Sequence, residues 1–365
     1  MRTTIPHRTR CFFVLVAILC AMSCSRPPQI RTAEWMAAFP EVALKDRLQR
    51  SSPSESVILS IKRLVTKGAG GDFTFPAAIA YSETGDLFVS DNIGHTIHRL
   101  QADSNKAETI FAKDGTVLSF PNSIQCWANK LVVSDNDGLK ILSSKGEFEK
   151  LIRPYFGIFN FTITKDQTFL INTLVRNAEQ QDPLIVELDR EGKRLRAFGA
   201  RLAVSGHNGL EDQAFLALSD RLLFAAFKYR PLVEVYSIDS GKLQRSFEVN
   251  HPVFRLLADE LKATGLTSTK APGQVFLPRY IAGIRTVGKR IFVCLNLPTP
   301  EIWEVNANGK ILALFKVSRL APVVDIFGFD VHIKHDILTF SLGTIDPSFG
   351  STVSEVYVGQ NSKGA

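Results

Sequence analysis

From Val57 onward, short apolar segments alternate with polar turns along almost the whole chain. The pattern is clearest in residues 72–100, which read DFTFPAAIAYSETGDLFVSDNIGHTIHRL. This stretch holds a Phe-Pro, an apolar run, a Thr-Gly-Asp turn, the run LFVSD, a polar loop and a second alternating run. Short runs of this kind, bounded by Gly, Asn and Asp, are typical of β-strands joined by turns. The pattern therefore predicts an almost entirely β structure.

The same arrangement occurs again at residues 119–151. Its Phe-Pro and its VVSDN run match the Phe-Pro and FVSDN of the first stretch at offsets of 45 and 44 residues. Weaker copies follow at residues 159–198, 214–247, 276–315 and 327–359. Because four short antiparallel strands repeated at such a period form a propeller blade, the six units predict six blades.

The ends of the repeat region indicate how the ring closes. The sixth unit runs out after its third strand, EVYVG, while the segment SVILSIKRL at residues 56–64 lies unused before the first unit. Pairing this segment onto the sixth unit supplies the missing fourth strand and covers an edge that would otherwise be open. Residues 250–275 exceed a normal loop length, so we expect them to carry a helix over one face.

The first unit, FPAAIAYSETGDLFVSDNIGHTIHRL, resembles an NHL repeat, whose pattern is Phe-x-x-Pro, a small apolar strand, Gly-x-(apolar)-Tyr/Phe-Val-x-Asp and Asn-x-x-Ile. The second unit matches in part, and the other four are degenerate. Over about residues 56–360 the chain resembles the six-bladed NHL and TolB-like propellers of secreted bacterial proteins. The resemblance implies an all-β fold, a six-bladed β-propeller of four-stranded antiparallel blades closed by an N-terminal strand.

The start of the chain carries a targeting signal. MRTTIPHRTR is a basic segment, and CFFVLVAILCAM is an apolar run of 12 residues, too short to span a bilayer and typical of a signal peptide. Ser23 and Cys24 resemble the end of a bacterial lipoprotein signal, in which the Cys is lipidated and becomes the mature N-terminus. Ala21 departs from that pattern, since Leu is usual there. The alternatives are a plain secretory signal and an uncleaved anchor.

These features divide the chain into a lipoprotein signal peptide (1–23), a tether with a weak helix (24–55) and the six-bladed propeller (56–365). A lipidated Cys24 has enough buried methylene groups to hold the protein on a membrane. Ser25 favours the periplasmic side of the outer membrane in a Gram-negative host, by resemblance to the sorting pattern. We therefore predict a lipid-anchored protein of the cell envelope, with secretion as the alternative.

Composition bears on the class of binding partner and on the state of the cysteines. The net charge of +7 falls to +4 when three arginines leave with the signal peptide, and no run of five or six Lys or Arg occurs. Hence no nucleic-acid partner is predicted. Cys126 and Cys294 lie inside apolar runs far apart in the sequence, so we expect two buried free thiols, with a disulfide as the alternative.

Polar residues of the predicted loops form a candidate binding face. In a propeller, the loops before the first strand and between the second and third strands of each blade gather around the mouth of the central channel, where ligands usually bind. Arg, Lys and Tyr in such loops are suited to binding carboxylates or sugar rings, although loop polar residues also simply face water. The candidates are Asn92, His95, Asn122, Asn136, Arg153, Tyr155, Arg176, Tyr229, Arg230, Arg279 and Tyr280, with Asp137 and Lys228 beside them.

Asp91 and Asp135 recur at the same place in two units, which predicts a structural role in turns rather than catalysis. The resemblance also implies possible enzymes, namely calcium-dependent lactonases, peptide-amidating lyases and quinone-dependent sugar dehydrogenases. Asn122, Asn172 or Asn296 could serve a calcium site, but no Asp or Glu is placed to complete it. The seven His show no zinc-binding pattern.

The preferred interpretation is a membrane-tethered binding or scaffolding module. Its ligand would be a protein, peptide or envelope saccharide, with some preference for an anionic group, and no cofactor is required. The alternative is a hydrolase or lyase at the channel mouth, with or without assistance from calcium. A third hypothesis is a sensor component of an exported complex.

Lipidation can be tested directly in a bacterial host. We expect the full chain to incorporate labelled fatty acid and to fractionate with membranes, and Cys24→Ser to lose both properties because its serine offers no thiol to acylate. Equal labelling of Cys24→Ser and the parent chain would contradict the assignment.

Overall fold

The computed structural model describes most of the predicted propeller. The described residues are 44–45, 47–48, 56–65, 67–68, 71–102, 104, 107–110, 118–174, 183–201, 209–263, 277–318, 323, 325–335, 337–346 and 350–358. The predicted signal peptide, Cys24, Arg176 and most of the predicted tether lie outside these residues.

The described strands form six four-stranded antiparallel blades, which confirms the predicted fold class. Three strands precede or begin the ring: β1 (Val57–Val65), β2 (Lys67–Gly68) and β3 (Gly71–Asp72). Blade one contains β4 (Pro76–Tyr81), β5 (Leu87–Asp91), β6 (Thr96–Leu100) and β7 (Ala107–Ile110). Blade two contains β8 (Ser123–Trp127), β9 (Lys130–Asp135), β10 (Gly138–Ser143) and β11 (Phe148–Ile152). Blade three contains β12 (Gly157–Ile163), β13 (Phe169–Leu174), β14 (Ile185–Leu188) and β15 (Arg194–Phe198).

The second half of the ring repeats the arrangement. Blade four contains β16 (Ala214–Ser219), β17 (Leu222–Phe227), β18 (Leu232–Ser237) and β19 (Leu243–Glu248). Blade five contains β20 (Ile281–Val287), β21 (Arg290–Leu295), β22 (Glu301–Val305) and β23 (Ile311–Ser318). Blade six contains β24 (Asp325–Lys334), β25 (Ile337–Asp346), β26 (Gly350–Val358) and the borrowed β1. The first strands of neighbouring blades contact one another all the way round, from β4 through β8, β12, β16, β20 and β24 back to β4.

The ring closes through β1, as the sequence predicts. The second half of β1 pairs antiparallel with β26, with Ile61 opposite Val356 and Val65 opposite Val353. The first half of β1 makes an additional pairing: residues 57–60 run parallel to residues 315–318 of β23. One strand therefore completes blade six and joins it to blade five in a continuous eight-stranded sheet.

Burial follows from the stacking of blades. Every residue of β5 (LFVSD) is buried, because a middle strand is covered by a neighbouring blade on each face. The outer strand β19 (LQRSFE) is mostly exposed and polar. This is why the middle strands are buried on both faces and mostly apolar, instead of strictly alternating. Between blades five and six, the Phe340 ring packs against Phe292 and Phe315 with centroid distances of 5.5 and 5.3 Å.

The long segment after blade four carries the expected helix, α1 (Pro252–Ala263). Its buried face contains Phe254, Leu257 and Leu261, which pack on a core shared by blades four and five. Leu44 and Leu48, from the described part of the predicted tether, pack against the same core. No helix among the described residues is long and apolar enough to cross a membrane.

The two cysteines of the propeller are both free thiols, as predicted. Cys294 is fully buried, but Cys126 is only half-buried, so the prediction of burial was too strong for Cys126. Burial raises the pKa of each thiol well above its ordinary value. Both side chains therefore behave as small apolar groups rather than as nucleophiles.

The closure predicts the effect of removing β1. Deletion of residues 51–66 should abolish the single cooperative melting transition, because it exposes the edge of β26 and removes the strand that is hydrogen-bonded to both blade five and blade six. The matched control is a chain that begins at residue 51, which lacks the packed Leu44 and Leu48 but keeps β1 and should still melt cooperatively. Calorimetry that shows the same transition with and without 51–66 would rule out this closure.

Candidate functional site

A cavity of about 290 Å³ lies on the axis of the ring, where the six first strands converge. All six blades contribute to its wall, through the first strands and the loops that lead into them or follow the second strands. Representative lining residues, one from each blade in order, are Phe75, Asn122, Phe159, Gln213, Arg279 and Phe327. The volume is close to the lower end for small-molecule sites and suits one sugar ring or the end of a peptide.

Aromatic rings form much of the wall. Phe75 and Phe327 lie with their ring centroids 4.1 Å apart, where the first and sixth blades meet. Phe159 packs against Phe215 at 5.3 Å on the other side of the cavity, where the third and fourth blades meet. Such surfaces bind the apolar body of a ligand or the face of a sugar ring.

Three cationic side chains also line the cavity, and two of them have carboxylate partners. Arg279 forms an ion pair with Asp325. The Arg285 Nε lies 2.9 Å from Asp330 Oδ1, while the other Asp330 oxygen accepts a hydrogen bond from the Tyr81 amide at 2.7 Å. Burial raises the pKa of Asp330, although Arg285 and this amide favour its charged form.

Lys228 is the third cation, and it has no such partner among the described residues. Its backbone is fixed at the end of β17, where the amide donates to the Gln213 carbonyl at 2.8 Å and the carbonyl accepts from the Tyr280 amide at 2.8 Å. The Nζ atom lies 5.5 Å from the ring centroid of Phe159 and 5.4 Å from that of Tyr229. The aromatic faces provide weak cation–π attraction but no counter-charge.

The environment of Lys228 changes its acidity. Burial, followed by repulsion from Arg279, lowers its pKa to about 7. The side chain keeps some accessible surface where it lines the cavity, but surrounding protein atoms are close enough for loss of hydration to dominate. Near neutral pH the cavity therefore contains both the ammonium and the free amine form.

Some sequence-predicted residues meet at the mouth. The Asn92 side-chain amide donates to Asn122 Oδ1 at 2.7 Å, and His95 Nδ1 accepts from the Phe120 amide at 3.2 Å. The His95 and Phe120 rings also pack edge to face at 4.5 Å. Arg279 lines the cavity itself, together with Lys228.

The other candidates have different surroundings. The Arg230 guanidinium packs over Phe227 and contacts Asp212, so its charge is used inside blade four. Tyr280 is buried against Phe254 of α1. Arg153 and Asn136 are exposed, Tyr229 is half-buried, and Tyr155 accepts a hydrogen bond from Arg194 of the outer strand β15. A binding role for these residues, and for Arg176, stays a prediction.

Sequence reasoning missed Arg285 and the aromatic wall. Arg285 lies inside β20, where a polar residue in an alternating strand is normally solvent-facing. Phe75 could have been found from the Phe-Pro of the repeat, because this residue precedes the first strand of its blade and lines the cavity. Phe159 and Phe327 lie at the bulges of β12 and β24, where β4 has Ala77, and Phe215 lies inside β16, so the Phe-Pro position does not mark them.

Asp91 and Asp135 have the structural role predicted for them. The carboxylate of Asp91 accepts hydrogen bonds from the amides of Thr74, Phe75 and Gly94, at 2.7, 2.9 and 2.9 Å. Asp135 accepts from the equivalent Ser119 amide at 3.0 Å and also pairs with the buried Lys140. Each carboxylate fixes the loop that enters its own blade.

The cavity does not fit a calcium ion. Its charged lining residues are cations, and the amides considered as ligands have other partners. Asn172 Oδ1 accepts from the Ala214 amide, and Asn296 Oδ1 accepts from the Ile326 amide, so each side chain ties one blade to the next. Within the described part of the chain, no three His, Cys, Asp or Glu side chains form a group that could hold a metal ion.

Comparison with known proteins supports the fold. No protein-family model matches the chain, and no curated protein sequence matches it. A Bacteroides fragilis protein, described as an exported protein, is similar in structure. Its TM-score is 0.52 at 12% identity, and the match covers 83% of this chain and 99% of that chain. A gluconolactonase of Xanthomonas campestris has a TM-score of 0.51, 12% identity and coverage of 84% and 99%. Virginiamycin B lyase of Staphylococcus aureus has a TM-score of 0.47 and 14% identity, with coverage of 80% of this chain and 87% of that chain. At 12% identity the first two likenesses show the fold alone.

The role of Asp91 can be measured. Asp91→Ala should lower the free energy of unfolding by about 3 kcal/mol, because three loop amides lose a charged acceptor in a buried site. Asp91→Asn keeps one acceptor oxygen and should lose less. Glu83→Ala, an exposed change in the same blade, should stay within about 0.5 kcal/mol of the parent in urea denaturation. An Asp91→Ala variant as stable as the Glu83→Ala control would contradict the structural role.

Proposed function

We propose that this protein is a lipid-anchored binding module of the cell envelope, built on degenerate NHL-like repeats, that captures a carboxylate-bearing ligand in its axial cavity. The ligand would be a peptide end or a saccharide unit that carries an acidic group. The observation that carries the proposal is Lys228, a cation without a carboxylate partner among the described residues, in a cavity walled by aromatic rings.

Electrostatics favour an anion in this cavity. Arg279 and Arg285 are already balanced by Asp325 and Asp330, so the charge that remains is that of Lys228. A carboxylate that enters the cavity would accept hydrogen bonds from the Lys228 ammonium in place of the water that burial has removed. Such charge-assisted hydrogen bonds are about twice as strong as neutral ones. The unused N–H donors of the two arginines could then orient the ligand.

The aromatic wall supports a ligand with an apolar or ring-shaped body. Phe75, Phe159 and Phe327 offer flat surfaces beside the cation, an arrangement suited to a molecule with one acidic end. The basic n-region, the short apolar run and Cys24 support export and anchoring. The expected location is the periplasmic side of the outer membrane, or outside the cell if the protein is secreted.

An enzyme at the channel mouth is the second candidate. Lys228, which has no carboxylate partner in the part of the chain that the structure describes, favours it, since an amine with a pKa of about 7 can act as a base or nucleophile near neutral pH. A calcium-assisted version has less support because the cavity presents cations rather than carboxylates.

Anion binding can be tested with two probes of the same shape, phenylacetate and phenylacetamide. We expect calorimetry at pH 6 to show at least about tenfold tighter binding of phenylacetate, since only the carboxylate gains from the Lys228 charge. Above pH 7 the free protein loses this proton and binding must take one up. The phenylacetate affinity should therefore fall with rising pH, by up to about tenfold per unit.

Lys228→Met should remove both the preference for phenylacetate and its pH dependence. Lys130→Met is the matched control, because Lys130 is a half-exposed surface lysine of blade two that pairs with Glu149. The control should leave binding unchanged. Equal affinity of the parent protein for phenylacetate and phenylacetamide across pH 6–9 would refute the anion site.

A further inference from the structure

We propose that the Lys228 amine forms a reversible imine with the carbonyl carbon of a small aldehyde or ketone that carries a carboxylate, such as a 2-oxo acid. This proposal rests on the anion-binding function given above, because the same cavity must first admit the acidic ligand. It adds a chemical step and a narrower ligand class.

The geometry meets the conditions for imine formation by a lysine. The amine must be reachable by a ligand, and Lys228 lines a cavity large enough for one. It must also be free of a carboxylate that would hold it protonated, and no hydrogen bond or ion pair joins its Nζ to another described residue. Reactive lysines in proteins are activated by apolar surroundings or by a neighbouring cation.

Both kinds of activation are present here. Phe159 and Tyr229 flank Nζ at 5.5 and 5.4 Å from their ring centroids. Arg279 lines the same cavity, and its positive charge disfavours the ammonium form of Lys228. The described titratable groups around the amine are Arg279 from the loop before β20, Arg285 from β20 and the adjacent Tyr229, while Asp325 and Asp330 remain paired with the two arginines.

The ligand class follows from the distribution of charge. A 2-oxo acid has its carboxylate one bond from the carbonyl carbon, so a molecule held by its carboxylate near the cations presents that carbon to the amine. Arg279 donates to Asp325 with one terminal nitrogen and retains other N–H groups for the ligand. An oxo acid whose carboxylate lies several bonds from its carbonyl carbon would occupy more of the cavity.

The step balances without an oxidant or reductant. The lone pair of the neutral amine attacks the carbonyl carbon, a C–N bond forms, and the carbonyl oxygen takes the proton that the nitrogen loses. The resulting carbinolamine then loses its hydroxyl group and the remaining nitrogen proton as one water molecule, which leaves a C=N bond. Hydrolysis reverses the sequence and releases the ligand and the amine unchanged.

The experiment traps the imine with sodium cyanoborohydride, using pyruvate as the probe and the full protein at pH 7. Peptide mass spectrometry then gives the rate of reductive labelling at each lysine. We expect Lys228 to be labelled at least about tenfold faster than Lys130 and Lys150, two half-exposed surface lysines that form ion pairs. The rate at Lys228 should rise from pH 5 to about 7, as the neutral amine forms.

Variants separate a specific site from general reactivity. Lys228→Arg keeps the charge and should lose the fast-labelled site, whereas Lys130→Met should keep it. Arg279→Met removes the neighbouring cation and should slow the labelling at Lys228, provided that its melting transition matches that of the parent. An unlabelled Lys228, or a labelling rate no higher than that of Lys130 and Lys150, overturns the imine.

The result is independent of the test of anion binding. A parent protein that prefers phenylacetate to phenylacetamide but shows no fast labelling loses the imine and keeps the anion site. Fast labelling by pyruvate, matched by equally fast labelling with uncharged acetone, would retain the reactive amine but refute selection for a carboxylate. Fast labelling with pyruvate alone supports both parts.

Discussion

Blade six has only three strands that follow one another in the chain, so the ring depends on the backbone hydrogen bonds between β26 and β1. These two strands come from opposite ends of the propeller sequence. Bringing them together costs loop-closure entropy that is recovered only when all the intervening blades are in place. β1 also pairs with β23, so the same segment ties blade five to blade six. Closure and the packing of the last two blades are therefore one event.

The cavity is a consequence of that closure, because each of its walls comes from a different part of the chain. Its charges are distributed unevenly around the ring. The interface of blades five and six supplies two arginines, each with an aspartate from β24. Blade four supplies Lys228, which lies among aromatic rings instead. The cavity thus combines balanced cations, which can orient a ligand, with one amine whose charge responds to pH and to the ligand.

Much of the fold could be predicted from sequence because strands and turns are encoded locally. The Phe-Pro and SDN positions located the first two blades, the weaker alternation of strands and turns located the other four, and the surplus segment before unit one indicated the closure. The parallel pairing of β1 with β23 could not be predicted, since backbone hydrogen bonds leave no residue signature. The site was harder still. Lys228 and Arg230 are two residues apart, yet Lys228 lines the cavity while Arg230 packs over Phe227. Loop conformation decides this, and residue type does not.

Lys45 connects the predicted tether to the backbone beside the cavity. Its Nζ donates to the carbonyl oxygens of Arg279 and Asn296, at 2.9 and 3.3 Å, beside the cavity that the Arg279 side chain lines. In a protein held at Cys24, the 21 residues from the anchor to Lys45 could extend to at most about 70 Å. Among the described residues, a pull on the anchor would reach the propeller at Leu44 and Lys45, which contact the core and the backbone of a cavity residue. The tension on the anchor and the binding of a ligand in the axial cavity would then influence each other.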